Sequence, residues 1–457
     1  MNKKMILALT SLTAFINPFM MSSINVAIME IEKSLGTSST STSWIITAYV
    51  LSTAVSLIPS GKLADIFGKK RIYVIGIFIF SLSSFFCAVS NNFTLIIISR
   101  IIQGISGGMF LATQTAILTH IFPKEKRGRV LGINVSCVYI GLSVGPFIGG
   151  FITERYGWNK IFLLTAVITF LASVICYYKI KFEDIKNEDK FNFKETVVYS
   201  LFMISFIYGI SKINSIYGLL IFTLSIFLFY YTIKIESTSE NPLVDVKSFL
   251  KNTVFIFSNA AALINYTATN AITFFLSIYL QSFFQINPKT TGLVLLIQPA
   301  IMTIISPFAG RLSDRKEPHI ISSIGMTLIT IALLMLTFIN SSNTILYIIF
   351  LLVIAGIGFG LFTSPNTNAV MSSVAKKDYS KASSILATSR VLGQTLSMGI
   401  STLVISVYMS DKSLGSNSKL LLQSMRMSFV IFSILSFAGI FFSFKRGRIH
   451  STKKELL

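Results

Sequence analysis

The chain reads as an all-α polytopic membrane protein, and three observations predict that class. Of its 457 residues 53% are hydrophobic, 40 of them Phe, and only 12% are charged, against about 25% in a soluble domain. The apolar residues gather into about fourteen stretches, each near the roughly 20 residues a helix needs to cross a bilayer. The 39 Lys and Arg far outnumber the 18 Asp and Glu, for a net charge of +21, and they collect in the gaps on one side of those stretches. With both termini on that side most basic residues are cytoplasmic, as the positive-inside bias requires; the opposite orientation reverses the ratio. The basic charge is therefore an orientation signal facing anionic lipid rather than a nucleic-acid surface.

The spans follow in order. Span 1, about 5–28, is too long and too poor a fit to a small-residue cleavage site to be a removable signal peptide. Span 2, about 43–60, runs into Gly61-Lys62-Leu63-Ala64-Asp65-Ile66-Phe67-Gly68-Lys69-Lys70-Arg71. There two glycines allow a tight turn, one acid sits among cations, and a basic cluster closes the gap. Spans 3 (72–90) and 4 (94–119) come next. Span 4 carries Arg100 inside apolar sequence, a placement that costs at least roughly 2.5–3.5 kcal/mol and signals a cavity, a partner or a role. Its position in the outer third leaves snorkelling to the external interface as the alternative.

Span 5, about 130–153, places Gly141, Gly145 and Gly149 four residues apart on one smooth face, which lets a neighbouring helix approach closely. Pro146 removes a backbone donor and allows a kink. The expectation is a tight, kinked seam between two bundles. Span 6 (161–178) closes the first set. Spans 7 (196–211) and 8 (216–233) are flanked by the longest charged connections, 179–195 and 234–252. Spans 9 (254–284), 10 (291–309), 11 (320–340), 12 (345–370), 13 (384–409) and 14 (424–444) complete the chain. Arg390 falls about two turns into span 13, near the cytoplasmic face, where anchoring competes with a functional role. An even number of spans puts both termini on one side. Cys87, Cys137 and Cys176 all fall within spans without metal-ligand spacing and read as small buried apolar residues.

The chain also repeats itself. Gly61-Lys62-Leu63-Ala64-Asp65 returns 249 residues later as Gly310-Arg311-Leu312-Ser313-Asp314, followed by Arg315 and Lys316. Lys124, Arg129 and Gly141 recur 252 residues later as Lys376, Lys381 and Gly393. Spans 1–6 thus correspond to spans 9–14, both copies running in the same direction, with spans 7 and 8 inserted. The domains implied are a first six-helix bundle over 1–182, an inserted pair with its linkers over 183–252, and a second bundle with a tail over 253–457. Parallel repeats of this kind belong to transporters that rock two bundles about a midplane site.

On these residues the sequence resembles the major facilitator superfamily and, within it, the fourteen-helix drug:proton antiporter family, which includes tetracycline and multidrug efflux proteins. Gly61–Arg71 is similar to the superfamily's signature loop, and Arg100-Ile101-Ile102-Gln103-Gly104 to the family's helix 4 motif. Gly141-Leu142-Ser143-Val144-Gly145-Pro146-Phe147-Ile148-Gly149-Gly150 resembles its helix 5 antiporter motif. Tyr279-Leu280-Gln281 with Gly292, and Arg390-Val391-Leu392-Gly393, resemble its helix 9 to 10 and helix 13 patterns. The resemblance implies two six-helix bundles plus two extra helices, alternating access, a role for Arg100 in proton transfer, and spans 1, 4, 9 and 12 around the cavity. Their amides include Asn17, Asn25, Gln103, Gln114, Asn265, Asn270, Asn366 and Asn368, with Gln298 on span 10 beside them.

Asp65 is expected to pair with Arg127, Arg129 or a helix N-terminus across the inner seam, a latch worth about 1 kcal/mol if exposed and more if buried. Asp314, whose copy lacks the second glycine, is expected to matter less. No acid lies near a midplane: the external ones are Glu30, Glu32, Glu154 and Asp411. Where many relatives carry a helix 1 acid this chain has Met20, and Met29 stands where their pattern commonly ends in proline. Proton coupling would then use Asp65, Glu30, Glu154 or His120.

The leading expectation is a monomeric exporter of amphipathic small molecules in the cell membrane, driven by protons and needing no cofactor. The alternative is a metabolite exporter or uniporter of the same fold. A membrane-embedded enzyme lacks a His, Asp or Ser constellation, and no Walker loop supports ATP drive.

Overall fold

The structure is a computed structural model that describes residues 3–36, 39–180, 190–239, 242–243, 246–286, 288–340, 344–409 and 418–447. Fourteen helices are long and apolar enough to cross a membrane: Lys3–Ile28, Trp44–Phe67, Lys69–Val89, Phe93–Ile121, Lys124–Tyr156, Asn159–Lys179, Phe193–Ser211, Ile216–Thr238, Thr253–Phe283, Thr290–Arg315, Pro318–Leu336, Ile345–Ser372, Lys376–Tyr408 and Lys419–Lys445. They are spans 1 to 14. Several run one or two turns past the apolar stretch, because polar residues at the ends continue the helix. Asp411, and the middle of each long linker, lie outside the described residues.

Local chemistry sets the ends. Asn92, Asn252 and Thr344 each accept a backbone N–H of the first turn of spans 4, 9 and 12, satisfying donors a helix start leaves open. Span 2 continues through Asp65 to Phe67, and the turn into span 3 falls on Gly68, whose φ of 104° favours glycine. The expectation that both Gly61 and Gly68 form the turn is thus corrected. Gly61 is helical, and its missing side chain serves a close approach described below.

The packing repeats with the sequence. Span 1 lies along span 5 as span 9 lies along span 13; spans 2 and 4 pair as 10 and 12 do; span 3 touches 4 and 6 as span 11 touches 12 and 14. Further glycine pairs, not among the repeat matches read from the sequence, follow the same register. Gly76 abuts Met109 and the Ser106 carbonyl, and Gly325 abuts the Gly358 carbonyl and Phe362. Gly104 presses on the Tyr49 carbonyl, and its counterpart Gly356 on the Gln298 carbonyl. Each lets two helices pack backbone to backbone, the means by which apolar helices associate where lipid supplies no hydrophobic drive.

Two seams join the halves: spans 2 and 4 against span 13, and spans 10 and 12 against span 5. Arg127 stacks over the Tyr379 ring at 5.2 Å. These two residues occupy equivalent positions of the repeat, so their contact lies beside the pseudo-twofold axis. Spans 7 and 8 form a hairpin with Gly209 against Phe222. Span 7 leans on span 2 through the Tyr199 hydroxyl, which donates to the Ala54 carbonyl at 3.2 Å, and through the Trp44–Tyr208 stack. It also meets span 13, where Ile210 fills the space over Gly399. The pair therefore lies along one of the two seams. Span 8 turns Tyr217, Leu220, Phe227 and Tyr230 outward, as a lipid-facing helix does.

Candidate functional site

The first site is where the repeat motifs meet at one face of the molecule. Asp314, near the end of span 10, accepts the backbone N–H of Gly128 at 2.6 Å and of Arg129 at 3.0 Å, both in the first turns of span 5. Both bonds are charge-assisted, a carboxylate accepting from backbone N–H groups in the second turn of the helix. The approach is possible because two glycines face each other: a methyl on Gly128 or Gly310 would overlap the other's carbonyl oxygen. Ser364 of span 12 adds a hydrogen bond to the Gly128 carbonyl at 3.3 Å.

Asp65 occupies the equivalent place at the other seam. It is fully buried, with Lys69 Nζ at 3.4 Å and with Ser380 and Lys381, at the start of span 13, close by. Gly61 abuts Ser380 and Ser384 there as Gly310 abuts Gly128. The expected partners of Asp65, Arg127 and Arg129, are therefore corrected. The backbone of Arg129 serves Asp314, while its side chain is exposed. Arg127, buried, donates to the Phe122 carbonyl and stacks on Tyr379. Lys62 is buried, and Lys70 reaches the Tyr177 ring at 5.8 Å. Arg71 and Arg315 are exposed at this face. Asp314, whose copy lacks the second glycine, makes two seam-crossing backbone hydrogen bonds.

The second feature is a buried cation in the first half. Arg100 is wholly enclosed; Nε donates to the Ile45 carbonyl at 2.7 Å and one terminal nitrogen to Gln103 Oε1 at 2.6 Å. Its plane lies 4.3 Å from the Tyr49 ring centroid. Snorkelling is thereby excluded in this arrangement. Met20 and Met21 are close: Gln103 Nε2 lies 3.3 Å from the Met20 sulfur, and Arg100 lies 3.9 Å from that of Met21. Sulfur is a weak acceptor, so a soft, polarisable contact stands where a carboxylate would pair.

The glycine stripe of span 5 has another partner than expected. Gly141 and Gly145 abut Phe15 and Phe19, Gly149 abuts Ser23, and Ser23 donates to the Gly145 carbonyl at 2.9 Å. All these belong to span 1. The stripe binds two helices of the same half; Gly150 meets only Val26. Pro146 is accommodated inside an unbroken helix. The seam between halves uses another part of span 5: Gly128, Gly132, Ser136 and Tyr139. The helical period explains the error, since one helix carries two packing faces.

The expected cavity amides separate into kinds. Gln103 is taken by Arg100 and by Ser84. Asn366 is taken by Arg446, whose NH1 donates at 2.6 Å, and by the Ser258 carbonyl. Asn368 binds Ser313, and Gln114 accepts from Thr13. These hold helices together. Asn17 accepts from the Tyr49 hydroxyl. Asn25 is exposed, Asn270 donates weakly to the Gln394 carbonyl at 3.5 Å, and Gln298 is buried. Asn265 differs: fully buried, it has neither amide atom hydrogen-bonded among the described residues.

Arg446 escaped the sequence reading because it sits in a basic stretch just beyond span 14. Fully buried, it ties spans 9, 11, 12 and 14 through Ser258, the Pro318 carbonyl, Asn366 and Ser443. Burial pushes its guanidinium down to about 9, which leaves it charged at neutral pH. Arg390 lies about three turns into the α-helix of span 13, more than expected, because that helix begins at Tyr379 in polar sequence ahead of the apolar stretch. It donates to Thr367 Oγ1 at 2.6 Å and faces the Tyr266 ring at 5.8 Å.

The chain matches the model of the Major Facilitator Superfamily over residues 10–249 and 259–456. It is 31% identical to a riboflavin transporter of Clostridioides difficile (strain 630) over 355 residues, 77% of each protein. It is 26% identical to a multidrug resistance protein of Mycobacterium tuberculosis (strain CDC 1551 / Oshkosh), over 85% of this chain and 73% of that one. It is also 26% identical to a methylenomycin A resistance protein of Bacillus subtilis (strain 168), over 84% and 83%. Its fold matches the crystal structure of a human organic anion transporter with a TM-score of 0.70 at 12% identity, covering 97% of this chain and 100% of that one. By sequence and by fold, the chain belongs to the major facilitator superfamily.

Proposed function

We propose that this transporter is a secondary exporter of amphipathic small molecules that works by alternating access, with Asp65 and Asp314 as paired latches on the cytoplasmic face. The observation that carries the reading is the seating of Asp314 on the second turn of span 5, with Asp65 at the matching place on span 13. Both contacts lie at one end of the seams, and both must part for the halves to rock. The motif face is assigned to the cytoplasm by its Lys and Arg, with both termini on that side of the cell membrane. The division into 1–182, 183–252 and 253–457 belongs to the same reading, as does a monomer.

Proton antiport is supported by likeness to the helix 4 and helix 5 antiporter motifs. A second reading, a metabolite exporter or uniporter, is favoured by the absence of Asp or Glu from the middle of any seam or cavity helix and by the riboflavin transporter among its relatives. Everted vesicles separate the two. Uptake of a fluorescent amphiphile that collapses on adding a protonophore is the antiport result; uptake that ignores the protonophore and follows only the substrate gradient makes it a uniporter.

A further inference from the structure

We propose that Arg390 anchors the acidic group of the substrate, so that the transported class is a flat apolar body bearing one carboxylate, sulfonate or phosphate. The inference rests on the transporter reading above and names the chemistry of its site.

Arg390 stands where the halves meet. Tyr139 of span 5 crosses the seam to hydrogen-bond Thr363 of span 12 at 3.1 Å and to meet the Phe359 ring edge-on at 6.2 Å. Tyr266 of span 9 meets the same Phe359 ring at 5.3 Å and carries Arg390 over its face. Thr367, one turn beyond Thr363, takes one Arg390 donor. The guanidinium is half-buried, and its enclosed Nε has no acceptor among the described residues. Arginine has five donors in a planar fork matched to a carboxylate or phosphate. A hydroxyl and a ring face leave most of them unused.

The charge balance of the surrounding helices points the same way. Spans 1, 4, 9 and 12 hold no Asp or Glu, and those of spans 2, 5, 10 and 13 sit near helix ends, as Asp65, Glu125, Glu154, Asp314 and Asp378 do. Among the described residues, Arg390 therefore has no Asp or Glu in the middle of these spans to neutralise it. A cation arriving there loses its hydration and meets like charge. An anion loses its hydration and gains a bidentate partner, while Tyr139, Tyr266 and Phe359 flank its apolar body. Arg100 and Arg446 offer no such site, since side chains and carbonyls of their own bundles enclose them.

The test uses three matched probes and the purified full chain in lipid nanodiscs: naphthalene-2-carboxylate, naphthalene-2-carboxamide and 2-naphthylmethylammonium. Equilibrium binding should favour the carboxylate over the amide by on the order of tenfold or more, the scale of one charge-assisted pair, with the ammonium weakest. Arg390→Gln should erase the preference, and Arg390→Lys should keep part of it. Thermal melting of both variants shows whether they are folded. The Lys variant carries the comparison if the Gln variant is not: it keeps a point charge but loses the fork. Equal or tighter binding of the ammonium, no saturable binding of the carboxylate, or a preference that survives both substitutions would overturn the proposal. Binding needs no proton gradient. A protonophore-insensitive transporter that still prefers the carboxylate would therefore fail as an antiporter and stand as an anion carrier.

Discussion

Asp314→Asn removes a charge but keeps the shape, and its effect follows from two distances. The carboxylate accepts from Gly128 at 2.6 Å and from Arg129 at 3.0 Å. An amide keeps one acceptor oxygen and turns an NH2 toward the second N–H, where donor meets donor. A hydrogen bond to a charged group contributes about 1.5–3 kcal/mol. Losing one bond and the charge thus weakens this closure by about 2 kcal/mol, or on the order of 30-fold in the population of the closed face. The reporter is Ser364→Cys, buried under Gly128 at the same seam, in a chain whose Cys87, Cys137 and Cys176 are replaced by alanine. Its maleimide labelling in purified protein should be slow with Asp314 in place and faster by about that factor in the Asp314→Asn variant, if opening precedes labelling. An unchanged rate in a folded variant would show that Asp314 does not hold the seam shut.

Asp65→Asn should reduce transport, since Asp65 lies buried at one of the two seams that close this face; vesicle uptake checks this, and full activity in a correctly inserted protein removes the latch. Gly145→Ala should lower the melting temperature of the purified protein, because the added methyl would overlap Ser22 Oγ and crowd the Phe19 carbonyl. Overpacking of this kind costs about 1–3 kcal/mol, and an unchanged melting curve would mean that span 1 yields freely. Cysteines placed at Lys186 and Asp245 should resist labelling from outside intact cells, as cytoplasmic linkers must; labelling of both without permeabilisation would refute the proposed orientation.

Much of the fold was legible because lipid simplifies the code. An apolar run of membrane length has few alternatives to a spanning helix, and fourteen such runs return as fourteen helices. The repeat was legible where it kept its charges, at Asp65 and Asp314. It was illegible where it kept only glycine: Gly76 and Gly325 look like ordinary small residues, and Gly104 of the helix 4 motif shows no tie to Gly356, until the facing carbonyls are seen. The partners of Asp65 and of the Gly141–Gly149 stripe were misread for one reason. A sequence gives the face of a helix but not the helix opposite it, and span 5 presents one face to span 1 and another to span 10. Arg446 was missed because hydropathy places it among solvated end charges, and only its contacts with Ser258 and Asn366 show it buried.

The duplicated latch bears on how the halves can move. Asp314 accepts two backbone N–H groups of span 5, Asp65 lies buried beside Ser380 and Lys381 at the start of span 13, and Arg127 stacks on its own repeat partner Tyr379, so the two seams are related by pseudo-twofold symmetry but not by identical contacts. Releasing one seam alone would tilt the bundles about the other, whereas releasing both lets them part along the axis. The inserted pair breaks that symmetry. Span 7 leans on span 2 and span 13 together, through Ala54, Trp44 and Gly399, and among the described residues no counterpart lies along the span 5 and span 10 seam. The Asp65 seam is thus braced from outside by a helix hairpin, while the Asp314 seam is held by its own contacts: the two backbone hydrogen bonds to Asp314, Ser136 on the Thr303 carbonyl, Tyr139 on Thr363 and the close approach of Gly128 and Gly310. The two aspartates, alike in sequence, therefore differ in what opposes their release.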